Sequence, residues 1–100
     1  MYFEEVLGVM EILNTHRKSN FFEINPGKEF KFAAEVDGEV VAIGVQGYGN
    51  IKNIRSGGKN IISNKNYLRF LCKKKDIFII EVLKTQELPL RVVLIEISKN

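Results

Sequence analysis

An Asp-Gly pair between two runs of alternating residues is the feature that most constrains how this chain can fold. Upstream, Phe30, Phe32, Ala34 and Val36 fall on one side, and Glu29, Lys31, Ala33 and Glu35 on the other. Downstream, Val41, Ile43 and Val45 alternate with Val40, Ala42 and Gly44. Side chains of an extended chain point to opposite faces in turn, so a period of two reads as a strand. Asp37-Gly38 joins the runs and suits a two-residue turn in which both residues adopt positive φ. The pattern predicts a β-hairpin centred on residues 37–38.

The flanking segments extend this β reading. Phe21-Phe22-Glu23-Ile24 reads as a short strand closed by the turn Asn25-Pro26-Gly27. Gly44, Gly47 and Gly49 mark bulges or sharp bends, of the kind a small curled sheet requires. Strands are predicted at 50–54, 67–72, 77–83 and 91–97, with a turn at Ser56-Gly57-Gly58-Lys59 and an ambiguous polar stretch from Asn60 to Asn66. Near the start the period changes to about 3.6. Phe3, Val6, Leu7, Met10 and Leu13 form one apolar stripe, with Glu4 and Glu5 at one end and His16, Arg17 and Lys18 at the other, as a helix dipole prefers. A helix over about 3–18 is predicted, lying across a sheet. Segments 77–83 and 91–97 are apolar on both faces, which calls for cover from that helix or from a second subunit, hence a homo-oligomer. The expected fold is mainly β (α+β by count): one domain over 1–100, an N-terminal helix, then a β-rich 21–98 forming a small, strongly bent antiparallel barrel.

Composition narrows the function classes. With 100 residues, 45% hydrophobic and 27% charged, the chain has the make-up of one globular domain, not of a disordered tail or a coiled-coil rod. One cysteine excludes an intramolecular disulfide framework and a multi-cysteine zinc site. No apolar run approaches the ~18 residues of a membrane span. The opening Met1-Tyr2-Phe3-Glu4-Glu5 is acidic, unlike a secretory signal, so a cytoplasmic protein without membrane contact is expected.

The formal charge of +3 conceals an asymmetry. Residues 52–75 hold Lys52, Arg55, Lys59, Lys65, Arg69, Lys73, Lys74 and Lys75 and no acid, a charge of +8 against −5 for the rest. Such a segment suits a polyanionic partner through counterion release and steering. It equally suits a solvated loop beside lysine-rich strand edges that resist aggregation.

Catalytic constellations are scarce. His16 is the single histidine, which leaves no pair for a metal or a proton relay. Cys72 alternates with Phe70 and Leu68 and reads as a small buried hydrophobe. Glu35, Asp37 and Glu39 cluster at the predicted turn, where carboxylates are normally solvated, so they read as solubilising. Gly57-Gly58-Lys59 lacks the spacing and the Ser/Thr of a phosphate loop. No enzyme, metal or cofactor is expected.

Gly27-Lys28-Glu29-Phe30-Lys31-Phe32, then Asp37-Gly38, then Gly47-Tyr48-Gly49-Asn50-Ile51-Lys52-Asn53-Ile54 resembles the first signature of the Sm-like (LSm) RNA-binding proteins. Cys72-Lys73-Lys74-Lys75-Asp76-Ile77-Phe78-Ile79-Ile80 is similar to the second. The resemblance covers about residues 27–80 and implies an N-terminal helix before a five-stranded barrel that assembles into rings. It also implies a base-binding role for Asn53, Lys73 and Ile51. Three departures stand out: an extra residue lies between Gly27 and Gly38, Gly49 replaces the family's aspartate, and Lys74 its glycine. Lys73 lacks the planar fork of arginine, and Ile51 lacks a stacking face.

The sequence therefore predicts non-catalytic nucleic-acid binding, RNA rather than DNA, through Lys52, Arg55, Lys73, Lys74 and Lys75 on phosphates and Tyr48 and Asn53 on bases. An assembly module using strands 77–83 and 91–97 to extend a partner's sheet is the alternative. A lesser one is a RelE-like toxin ribonuclease, since Leu68 to Pro89, with Arg69, resembles that family's terminal strands; it lacks a catalytic base.

Overall fold

The computed structural model describes residues 19–99. Within them the chain forms eight strands and no helix: β1 (Ser19–Ile24), β2 (Glu29–Ala33), β3 (Gly38–Gln46), β4 (Tyr48–Asn53), β5 (Gly57–Ser63), β6 (Tyr67–Cys72), β7 (Ile77–Glu81) and β8 (Leu90–Ser98). The helix expected over about 3–18 lies outside the described residues.

The strands divide into two four-stranded antiparallel sheets, in the orders β1-β8-β3-β6 and β2-β7-β4-β5. Only β4 and β5 are both consecutive in sequence and paired; every other connection carries the chain from one sheet to the other. This is the double-sheet connectivity of a jelly roll. It replaces the predicted Sm-like barrel, since neither sheet closes on itself.

The correction begins at Asp37-Gly38. β2 pairs with β7 (Phe32 opposite Phe78), whereas β3 pairs with β6 and β8 (Val40 opposite Phe70 and Glu96). No hairpin forms at residues 37–38; the chain changes sheets there. Gly38 takes φ +156° but Asp37 does not adopt positive φ, so the mirror-image turn is absent. The crossing is held from both sides. Lys99 N donates to Asp37 O, Lys74 N to Asp37 Oδ1, and Ala34 exchanges backbone hydrogen bonds with Lys75 and Asp76. A Cβ at Gly38 would stand 2.0 Å from Ile97 O, so glycine is required by close approach as well as by φ.

The alternation itself is obeyed. Phe30, Phe32, Ala34 and Val36 face the space between the sheets and join Val40, Ile51, Phe78, Ile80 and Val92 in the main core. Five phenyl rings fill that space: Phe22 lies 4.4 Å from Phe30, Phe32 stacks on Phe78 at 5.1 Å, and Phe70 meets Phe78 edge-on at 5.7 Å. Offset and edge-on contacts at these separations suit the ring quadrupoles. A smaller cluster on the other face of the first sheet joins Val41 and Ile95 to Ile43, Tyr67, Val93 and Ile97. The two strands that read as apolar on both faces, β7 and β8, are inner strands of their sheets. Their backbone edges are already paired, so they cannot extend a partner's sheet, and the proposed assembly role for 77–83 and 91–97 falls with that.

Candidate functional site

The seven residues expected to bind nucleic acid do not converge on one surface. Tyr48 opens β4 and Asn53 closes it, which sets them ~17 Å apart at about 3.3 Å per residue. Tyr48 is 46% exposed and borders a shallow hollow of about 680 Å³ with Ile61, Lys65, Gln86 and Leu88. Lys52 pairs opposite Ile79 on the outward face of the second sheet. Lys73, Lys74 and Lys75 form the β6–β7 turn, where Lys75 takes φ +77°.

Asn53 and Arg55 are committed to the fold. Asn53 is 1% exposed, donates from Nδ2 to Asp76 Oδ2 at 3.0 Å, and accepts from Arg55 N at 2.9 Å. Asp76, 8% exposed, also accepts Arg55 Nε on Oδ1 and Arg55 Nη2 on Oδ2, each at 2.9 Å, and Lys73 N on Oδ2 at 2.9 Å. The guanidinium, the Lys73 amide and the Asn53 amide together hold the Asp76 carboxyl well below the usual carboxylate range, and the same pairing raises the Arg55 pKa. A carboxylate with this many donors acts as a buried knot. It ties the β4–β5 turn to the β6–β7 turn, so Asn53 has no free edge for a base.

Beside the knot the surface is open. A cleft of about 470 Å³ lies at this end of the molecule, lined among the described residues by Gly38, Glu39, Arg55, Leu71, Cys72, Lys73, Ile97, Ser98 and Lys99. Strand register assembles it: Glu39 sits between Leu71 on β6 and Ile97 on β8. Leu71 is 80% exposed, a leucine that the core does not use. Glu39 Oε2 accepts from Arg69 Nε at 2.7 Å, which cancels its charge. Cys72 is buried, its Sγ 3.4 Å from Val36 O, and burial pushes its thiol pKa up. A thiol kept protonated is a poor nucleophile.

Sequence reasoning found Arg55 and Lys73 here but missed Gly38, Leu71, Ile97 and Lys99. These come from three distant stretches of chain, and only the sheet register brings them together. Asp76 carried one local signal: it is the first acid after the basic window.

Among the described residues, no three His, Cys, Asp or Glu side chains stand close enough to hold a metal ion. The space between the sheets, where a jelly roll could house a cofactor, is taken up by the phenyl rings. His16 lies outside the described residues. No described helix is long and apolar enough to cross a membrane.

No family model matches the chain, and no curated protein matches it significantly. Solved structures do. A cupin_2 domain of an XRE family transcriptional regulator from Enterobacter cloacae superposes with a TM-score of 0.58 at 16% identity, covering 82% of this chain and 84% of that one. A cupin protein from Bacteroides fragilis gives 0.56 at 17% identity over 82% of this chain and 64% of its own. A protein of unknown function from Rhizobium leguminosarum gives 0.52 at 13% identity, over 77% and 66%. The chain therefore spans about two thirds of the length of the latter two. At such identities the likeness shows the fold alone. That fold is cupin-like, and it overturns the Sm-like resemblance together with the RNA-binding role carried over from it.

Proposed function

We propose that this chain is a ligand-binding module of cupin-like fold, working without a metal centre and without chemistry of its own, with its site in the cleft beside Asp76. The observation that carries the reading is the cleft itself: about 470 Å³, within the usual ~300–1,000 Å³ of small-molecule sites. One side of it is made rigid by the Asp76 knot. The two carboxylates and the thiol in or against it are each occupied: Glu39 with Arg69, Asp76 with Arg55, and Cys72 as a buried thiol. Binding therefore fits the residues better than turnover. One structural neighbour is a domain of a transcriptional regulator, so a frame of this shape serves in at least one regulatory protein.

A fragment library screened by amide chemical-shift mapping tests this, alongside metal analysis of the purified protein. The expected result is hits that perturb Gly38, Leu71, Lys73 and Ile97, with no stoichiometric metal. Hits confined to other surfaces, no hits at all, or one bound metal per chain would overturn it.

A further inference from the structure

Resting on that reading, we infer that the cleft takes a small organic anion with a short aliphatic body. Two observations on opposite walls support this. The first is charge. Arg55 and Asp76 cancel, as do Arg69 and Glu39. The ammonium groups of Lys73 and Lys99 have no ion-pair partner among the described residues, and both line the cleft. Arg55 spends Nε and Nη2 on Asp76, which leaves Nη1 without a hydrogen bond. Two ammonium groups without an ion-pair partner and one guanidinium nitrogen without a hydrogen bond therefore belong to residues that line the cleft. Asp37 and Glu96 keep their charge nearby but do not line the cleft: Asp37 Oδ1 accepts from Lys74 N and Glu96 Oε1 from Glu35 N.

The second observation is the apolar wall. Leu71 and Ile97 flank Glu39 in register, and Leu71 is 80% exposed on an edge strand. An aliphatic side chain left in water beside unpaired cations offers a surface against which a ligand's methylene groups can be buried. Inorganic phosphate would use only the cations. A neutral hydrocarbon would use only the leucine and isoleucine. One molecule with both parts uses both walls.

Calorimetry on the full chain at low salt tests the class with three probes: hexanoate, hexylamine and inorganic phosphate. Hexanoate is expected to bind saturably and more tightly than phosphate, with no heat from hexylamine. Lys73→Ala and Leu71→Ser change exposed side chains, and circular dichroism verifies that each variant is folded. Each should weaken hexanoate about three- to fivefold. Lys84→Ala, at a lysine outside the cleft, should leave it unchanged. Equal binding of phosphate and hexanoate removes the aliphatic body from the proposal, and binding of hexylamine removes the charge. Hexanoate binding that is indifferent to both Lys73→Ala and Leu71→Ser places the site elsewhere. If all three probes fail while library fragments still map to the cleft, the ligand class is wrong and the binding module stands. If nothing maps to the cleft, both are wrong.

Discussion

Asp76 is the residue on which this end of the molecule depends. It gathers Asn53 Nδ2, two guanidinium nitrogens of Arg55 and the Lys73 amide. Its pKa is depressed on folding, so the stabilisation it gives is complete above the unfolded value of about 4 and is lost as pH falls below that toward the folded value. Arg55 stays protonated throughout and adds no slope of its own. Denaturant midpoints at pH 6 and pH 3 should therefore show that Asp76→Asn is clearly less stable than the parent at pH 6, with the gap narrowing at pH 3. A gap that is constant with pH would mean the carboxylate charge contributes nothing. The basic segment was legible as a run of charges, but its role was not. The acid-free window ends at Lys75, one residue before the carboxylate that neutralises Arg55. A charge count along the chain cannot see which cation is already spent.

At the scale of elements, the period-two pattern locates strands well because burial on one face is a local property. It does not say which strand lies alongside, because pairing depends on where the backbone next finds donors and acceptors. Residues 29–36 and 38–46 alternate as hairpin arms would, yet β2 lies on β7 and β3 on β8. β5 escaped notice for a different reason: it is an edge strand with an exposed Gly-Gly-Lys-Asn start, so it carries no alternating apolar signal. Gly44 shows how tightly the sheets meet. A Cβ there would stand 1.7 Å from Ser63 O, and β3 shifts register against β8 between Gly44 and Gln46. Because the obstruction is backbone, Gly44→Ala should cost ~3 kcal/mol or somewhat more, read from urea unfolding. A cost below ~1 kcal/mol would show that β3 and the end of β5 do not approach so closely.

For the whole molecule, two packed sheets account for what a ring-forming barrel could not. The doubly apolar β7 and β8 are central strands, and Phe78 on β7 joins the stack from Phe32 to Phe70 across the core. Phe78 is fully buried, so Phe78→Ala should lower stability by ~3–5 kcal/mol and loosen both sheets together. A loss confined to one sheet in hydrogen exchange would contradict a shared core. The same filled interior directs ligand binding to the rim, where Leu71, Lys73, Ile97 and Lys99 converge.

The cleft exists because the chain changes sheets at Asp37-Gly38, bringing Gly38 beside both Cys72 and Ser98. Cross-strand nuclear Overhauser contacts test that crossing most directly. The predicted result pairs Lys31 with Ile79, Phe32 with Phe78 and Val41 with Ile95. A ladder joining residues 29–36 to residues 38–46 across Asp37-Gly38 would contradict it, and with it the cleft.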